Sequence, residues 1–180
     1  MRTFVAVEID NQEVLNSIQS IQSKLQIKAK PIPLKNIHFT MLFLGEISDT
    51  ISKNVMEELD SIKFRSFEVS IQGIGVFPKP SFPRIIWIGT DEKGGQRLTE
   101  LASTVVEKLS NLGFQADKPF KPHLTIFRVK NKIGNISDDL KNYQKYSFGI
   151  QKVSEIKFKK SILNPDGPIY SDLQVVKAIQ

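Results

Sequence analysis

The chain has 180 residues, 40% hydrophobic and 24% charged, a balance ordinary for one soluble domain or two small lobes sharing a core. Its net charge of +6 suits an anionic partner such as RNA or a nucleotide, although basic proteins without such a partner are as common. With no cysteine there is no disulfide framework, thiolate nucleophile or Cys-based zinc site, and no apolar run approaches the roughly 20 residues of a membrane span.

The opening "MRTFVAVEID" turns acidic too early for a signal peptide and reads as a strand, so a cytoplasmic protein is expected. "NQEVLNSIQSIQSKL" follows with Val14, Leu15, Ile18, Ile21 and Leu25 at helical spacing. "PIPLKNIHFTMLFLG" runs from a proline-bounded loop into a strand ending at Gly45, and "SDTISKNVMEELDSI" is a helix with Ser48 as its cap. "SFEVSIQGIGVF" and "FPRIIWIGT" read as strands. The helix predicted over 95–114, "GQRLTELASTVVEKLSNLGF", carries Leu98, Leu101, Val105 and Leu109 on one face and Gly113 as its stop. "DKPFKPHLTIFRV" repeats the proline-bounded loop and strand. "SDDLKNY" is a short helix, and "YSFGIQKVSEIKFKKSIL" and "IYSDLQVVKAI" close the chain as strands.

This order repeats. The two histidines, His38 and His123, lie 85 residues apart (123 − 38), and the strands ending at Phe77 and Leu163 differ by 86 (163 − 77). Residues 1–180 are therefore expected to form a single domain of two interleaved, pseudo-twofold-related lobes from an internal duplication. The expected fold class is α+β and bilobal, each lobe an antiparallel-type sheet with helices packed outside, around a central cleft.

Each histidine stands in the same phrase, "HFTM" and "HLTI". On a strand, residues i and i+2 share a face. His38 and Thr40 therefore face one way, with Phe39 and Met41 opposite; His123 and Thr125 are arranged alike. Threonine occurs only seven times, so its presence at i+2 of both histidines by chance is roughly a one-in-several-hundred event. A metal site is disfavoured: catalytic zinc takes three protein ligands, and neither phrase holds a carboxylate at ligand spacing. A serine triad lacks its G-x-S-x-G elbow. Acid/base catalysis by a histidine pair fits best. In-line displacement at phosphorus needs one proton removed and one delivered, and hydroxyls can meet the charge on the non-bridging oxygens.

The ordered set "RTFVAVEI", "NIHFTMLFLG", "IGVFPKPSFPRIIWIG", "FKPHLTIFR" and "SILNPDGPIYSDL" resembles the two-histidine (2H) phosphoesterase superfamily, in its RNA 2',3'-cyclic phosphodiesterase (2'-5' RNA ligase) branch. The resemblance implies no cofactor, no metal, and opening of a terminal RNA 2',3'-cyclic phosphate, or a cyclic nucleotide, to a 2'-phosphate, with reversible 2'-5' ligation as a second activity. It implies His38 as acid, His123 as base, and Thr40 and Thr125 as their partners. It also matches Arg128 to a substrate-binding arginine. Five residues from His123, Arg128 would point away from the cleft on a regular strand, so a bulge or strand end is needed. Phe39 stands where leucine is usual, facing the core. Arg84, Trp87 and Tyr170 fit the pattern and are given no role. A monomer is expected. The alternatives are another 2H reaction, on an ADP-ribose cyclic phosphate or a 2'-5' linkage, an endoribonuclease, or an RNA-binding module without turnover.

Overall fold

The computed structural model, which describes residues 1–179, arranges the strands in two sheets whose ladders are all antiparallel. In chain order the elements are β1 (Arg2–Glu8), α1 (Gln12–Lys24), β2 (Lys30–Pro31), β3 (His38–Glu46), α2 (Asp49–Asp60), β4 (Phe67–Lys79), β5 (Phe82–Thr90), α3 (Glu92–Ser110), β6 (Leu124–Arg128), α4 (Ser137–Leu140), β7 (Ser147–Val153), β8 (Glu155–Asn164) and β9 (Gly167–Lys177). One sheet has the order β3-β1-β8-β9, the other β2-β6-β5-β4-β7. The α+β expectation is met. No helix among the described residues is long and apolar enough to cross a membrane.

The two halves of the chain exchange strands. The long β4 of the first half pairs with β5 of the second, and β8 of the second half pairs with β1 of the first. The apparently continuous run 146–163 therefore divides at Ser154: β7 closes against β4, while β8 crosses to the other sheet. Phe148, Val153, Ile156 and Phe158 from this run are all buried, so each segment contributes to the core of the sheet it joins.

Local chemistry sets the helix ends. Side chains of Asn11, Ser48 and Asp91 accept from the backbone N–H of Val14, Ile51 and Gly94, meeting donors the first turn leaves unpaired. With Asp91 as its cap, α3 starts at Glu92, three residues before the predicted boundary. Gly94 then lies inside the helix, where a Cβ would stand 2.9 Å from Val69; the missing side chain lets α3 press against β4. The helix stops at Ser110, and Gly113 turns the chain at φ 88°. Leu98, Leu101, Val105 and Leu109 are buried as their spacing predicted.

Candidate active site

The two histidine phrases fold alike. From His38 to Gly45, and again from His123 to Lys130, half-buried, buried and exposed residues follow one another in the same order. His38 opens β3, whereas His123 stands one residue before β6. In both, histidine and threonine share the more open face, and Phe39, Met41, Leu124 and Ile126 are buried behind them. β3 and β6 come into contact where the two sheets meet.

Each strand bulges just beyond its threonine. Trp87 and Ile86, adjacent on β5, pair with Thr125 and Phe127, so Ile126 is an extra residue. Ala6 and Val5 pair with Thr40 and Leu42, which makes Met41 the extra residue of β3. An extra residue breaks the alternation of faces. Ile126 and Phe127 are consequently both buried, and Arg128 emerges exposed on the histidine side. Its charge lowers the proton affinity of both His38 and His123. A bulge of the kind expected before Arg128 is present. At the matching position of β3 stands Phe43, 64% exposed.

Both imidazoles are held through Nδ1. His38 Nδ1 lies 2.7 Å from the Asn36 carbonyl, and His123 Nδ1 lies 2.7 Å from the Lys121 carbonyl. A carbonyl only accepts, so Nδ1 carries the proton in each ring and Nε2 presents its lone pair when the ring is neutral. Nε2 of His38 meets the Thr40 hydroxyl at 2.9 Å. With a neutral ring that hydroxyl must be the donor. Once Nε2 gains a proton the bond reverses, and the Thr40 O–H is free to turn elsewhere.

The surroundings of the two rings differ. His38 packs against Phe4 (5.1 Å between ring centres) and meets Tyr170 edge-on at 5.6 Å. Beside it on β1, β8 and β9 runs a closed ring of alternating charge. Lys157 Nζ bonds Glu8 at 2.9 Å and Asp172 at 3.0 Å; Lys159 Nζ bonds Asp172 at 2.6 Å and also Glu8. Burial opposes the charged form of Glu8 and Asp172, but the lysine hydrogen bonds prevail and hold both carboxyls below their ordinary range. In Lys157 burial is likewise outweighed by the bonds from Glu8 and Asp172, which raise it. His123 has an apolar bed instead. Phe77 lies 5.2 Å and Trp87 6.4 Å from its ring, and the Lys121 ammonium sits over both, at 4.8 and 5.0 Å. Trp87 fills the space a side chain at Gly75 would need, since a Cβ there would meet its ring at 2.2 Å.

Burial lowers the pKa of His38 to about 4; the Asn36 carbonyl and Glu8 work against this, and Lys159 and Arg128 reinforce it. His123 is lowered too, again by burial first, with the Lys121 carbonyl opposing and the charges of Lys121 and Arg128 adding. Both rings are therefore mainly neutral in the free site at pH 7. Stability responds with a definite sign. His38 takes a proton in the unfolded chain near its ordinary value but in the folded protein only near 4, so stability falls as pH drops through that window. The His38 contribution to this loss is roughly 2 kcal/mol between about pH 7 and pH 5. Urea unfolding of the wild type and His38→Gln at both pH values measures it; equal pH dependence in the two proteins would contradict the assigned shift.

Of the residues given no role from sequence, Arg84 fastens strand ends, donating to the Lys130 carbonyl at 3.0 Å and stacking on Phe82. Trp87 and Tyr170 lie against the histidines. Sequence reasoning missed the charge ring, although "KFK" places Lys157 and Lys159 two apart as a strand face requires. It also missed Asn36. Among the described residues, no three His, Cys, Asp or Glu side chains gather as metal ligands would.

Residues 3–176 match the family model of the AKAP7 2'5' RNA ligase-like domain. A protein of Archaeoglobus fulgidus named RNA 2',3'-cyclic phosphodiesterase is 42% identical over 177 residues, covering 97% of this chain and 99% of that one. A protein of Methanocaldococcus jannaschii with the same name is 36% identical over 174 residues, covering 94% and 96%. The crystal structure of TT0787 of Thermus thermophilus superposes with a TM-score of 0.79 at 25% identity, over 98% of this chain and 97% of that one. The apo form of Escherichia coli LigT gives 0.81 at 21% identity, over 99% and 98%, a likeness of fold.

Proposed function

The chain belongs to the 2'5' RNA ligase-like family of 2H phosphoesterases, and from that premise we propose that it hydrolyses a terminal RNA 2',3'-cyclic phosphate to a 2'-phosphate by acid/base catalysis between His38 and His123. The observation that carries the reading is the pair of matched phrases. Each has Nδ1 tied back to a carbonyl at 2.7 Å, which turns the Nε2 lone pair to the opposite side of the ring, and a threonine on the same face.

In the free enzyme both rings are neutral, so one proton must be taken up from solvent as the substrate binds. The anionic phosphate raises both histidines, since an opposite charge favours the protonated ring. His38, the acid implied by the family resemblance, takes that proton on Nε2. His123 Nε2, without a partner among the described residues, removes a proton from water as its oxygen attacks phosphorus. The P–O3' bond breaks on the far side, and His38 gives its proton to O3'. The products are a 2'-phosphate and a free 3'-hydroxyl. Protonation of His38 also frees the Thr40 O–H, which with Thr125 and Arg128 meets the charge on the non-bridging oxygens. Replacing water by the 5'-hydroxyl of a second RNA turns the same displacement into 2'-5' ligation.

The test is incubation of a 2',3'-cyclic-phosphate-ended oligonucleotide with excess EDTA. A 2'-phosphate is expected, at a rate unchanged by added zinc or magnesium and bell-shaped in pH, because one ring must be charged and the other neutral. A predominant 3'-phosphate would reverse the docking of the ribose and the roles of the two histidines. A strict metal requirement would make them ligands instead.

A further inference from the structure

The carbonyl that fixes each histidine needs its own support. In the second phrase it belongs to Lys121, whose side chain is pinned on Phe77 and Trp87. In the first it belongs to Asn36, only 7% exposed, the last residue of a 3-10 turn spanning Leu34–Asn36. The Asn36 backbone N–H donates to the Pro33 carbonyl at 2.9 Å, closing the turn. Its side-chain Nδ2 donates to the Pro168 carbonyl at 3.2 Å, just past the turn of the β8–β9 hairpin. Lys30 ties the same hairpin at its tip, with Nζ 3.0 Å from the Asp166 carbonyl. Tyr170, two residues past Pro168, rests edge-on against His38. The hairpin thus reaches His38 by two routes, directly through Tyr170 and indirectly through Asn36.

We propose that Asn36 is a positioning residue for His38: its carboxamide, anchored on Pro168, fixes the backbone carbonyl that holds Nδ1 and so aims Nε2 at Thr40 and the substrate. The proposal rests on the reading of His38 as a catalytic group. Residue chemistry at this place is narrow. Alanine would leave the Pro168 carbonyl without its donor, and aspartate would set a carboxylate against it, while either keeps the Asn36 backbone carbonyl in the chain. The loss is then one of aim, which falls on the chemical step more than on binding.

Asn36→Ala and Asn36→Asp should each lower kcat about tenfold with KM within about twofold, well short of removing His38. Nitrogen-15 NMR of the ring atoms supplies a second readout. The wild type should show the Nδ1–H tautomer at both histidines; the variants should show a mixture of tautomers at His38 and an unchanged His123, the internal control. Asn36→Asp, matched in volume, decides the matter if the alanine variant does not fold. Wild-type kcat with an unmixed His38 tautomer in a folded variant overturns the proposal, and so does equal disturbance of both histidines. A fully active His38→Ala would instead bring down the catalytic reading. An inactive His38→Ala beside wild-type Asn36 variants brings down this proposal alone.

Discussion

Turnover of a 2',3'-cyclic-phosphate end should fall at least about a hundredfold in His38→Ala and again in His123→Ala, the loss typical of a missing general acid or base. The double variant should be little worse than the poorer single one. The two rings act on one displacement, so losing either leaves the other without its counterpart. Thr40→Ala and Thr125→Ala should cost less, because each removes one of several contacts to the non-bridging oxygens. Arg128→Ala should also cost less than either histidine, since its guanidinium assists charge on the phosphate and moves no proton. Steady-state kinetics of the six variants on one oligonucleotide decides this. Near-normal activity in either histidine variant would end the paired acid/base scheme.

The largest expected effect on stability lies one strand away. Lys159 is 5% exposed and bonds both carboxylates of the charge ring. Lys159→Met keeps an apolar stem but leaves Glu8 and Asp172 sharing Lys157 alone. Removing one partner of a fully buried ion pair costs about 3–5 kcal/mol, and because the Glu8 and Asp172 side chains are 25% and 36% exposed the loss here is about 2–3 kcal/mol. For a chain of this size that lowers the melting temperature by roughly 5–10 °C. Adding Glu8→Gln rebalances the ring as one cation and one anion, and should recover part of the loss. Thermal and urea unfolding of the single and double variants measures both steps. A Lys159→Met protein as stable as the wild type would show that the ring contributes no net stability.

Much of the site was legible because it depends on short-range geometry. A period of two places His38 with Thr40 and His123 with Thr125 whatever the rest of the chain does. Apolar spacing gave the face of α3, and the Ser48 side chain caps α2 as its position before the helix suggested. The same local rule misplaces Arg128, because alternation holds only until a bulge intervenes. The bulge at Ile126 is set by how β6 pairs with β5, not by any residue type within the phrase.

The sequence by itself determined the two histidine strands, their shared spacing and the apolar residues behind them, since a strand's faces follow from backbone pleat alone. Only the tertiary structure decided which strands share a sheet. β4 and β8 each leave their own half of the chain, and the 146–163 run divides at Ser154 to serve both sheets. It also decided what surrounds each imidazole. Glu8 meets Lys157 and Lys159 from some 150 residues away, and Asn36 reaches Pro168 across 132. Such pairs are fixed by the register of one ladder against another. Register is the joint outcome of every buried side chain on both strands, so no local stretch of sequence contains it.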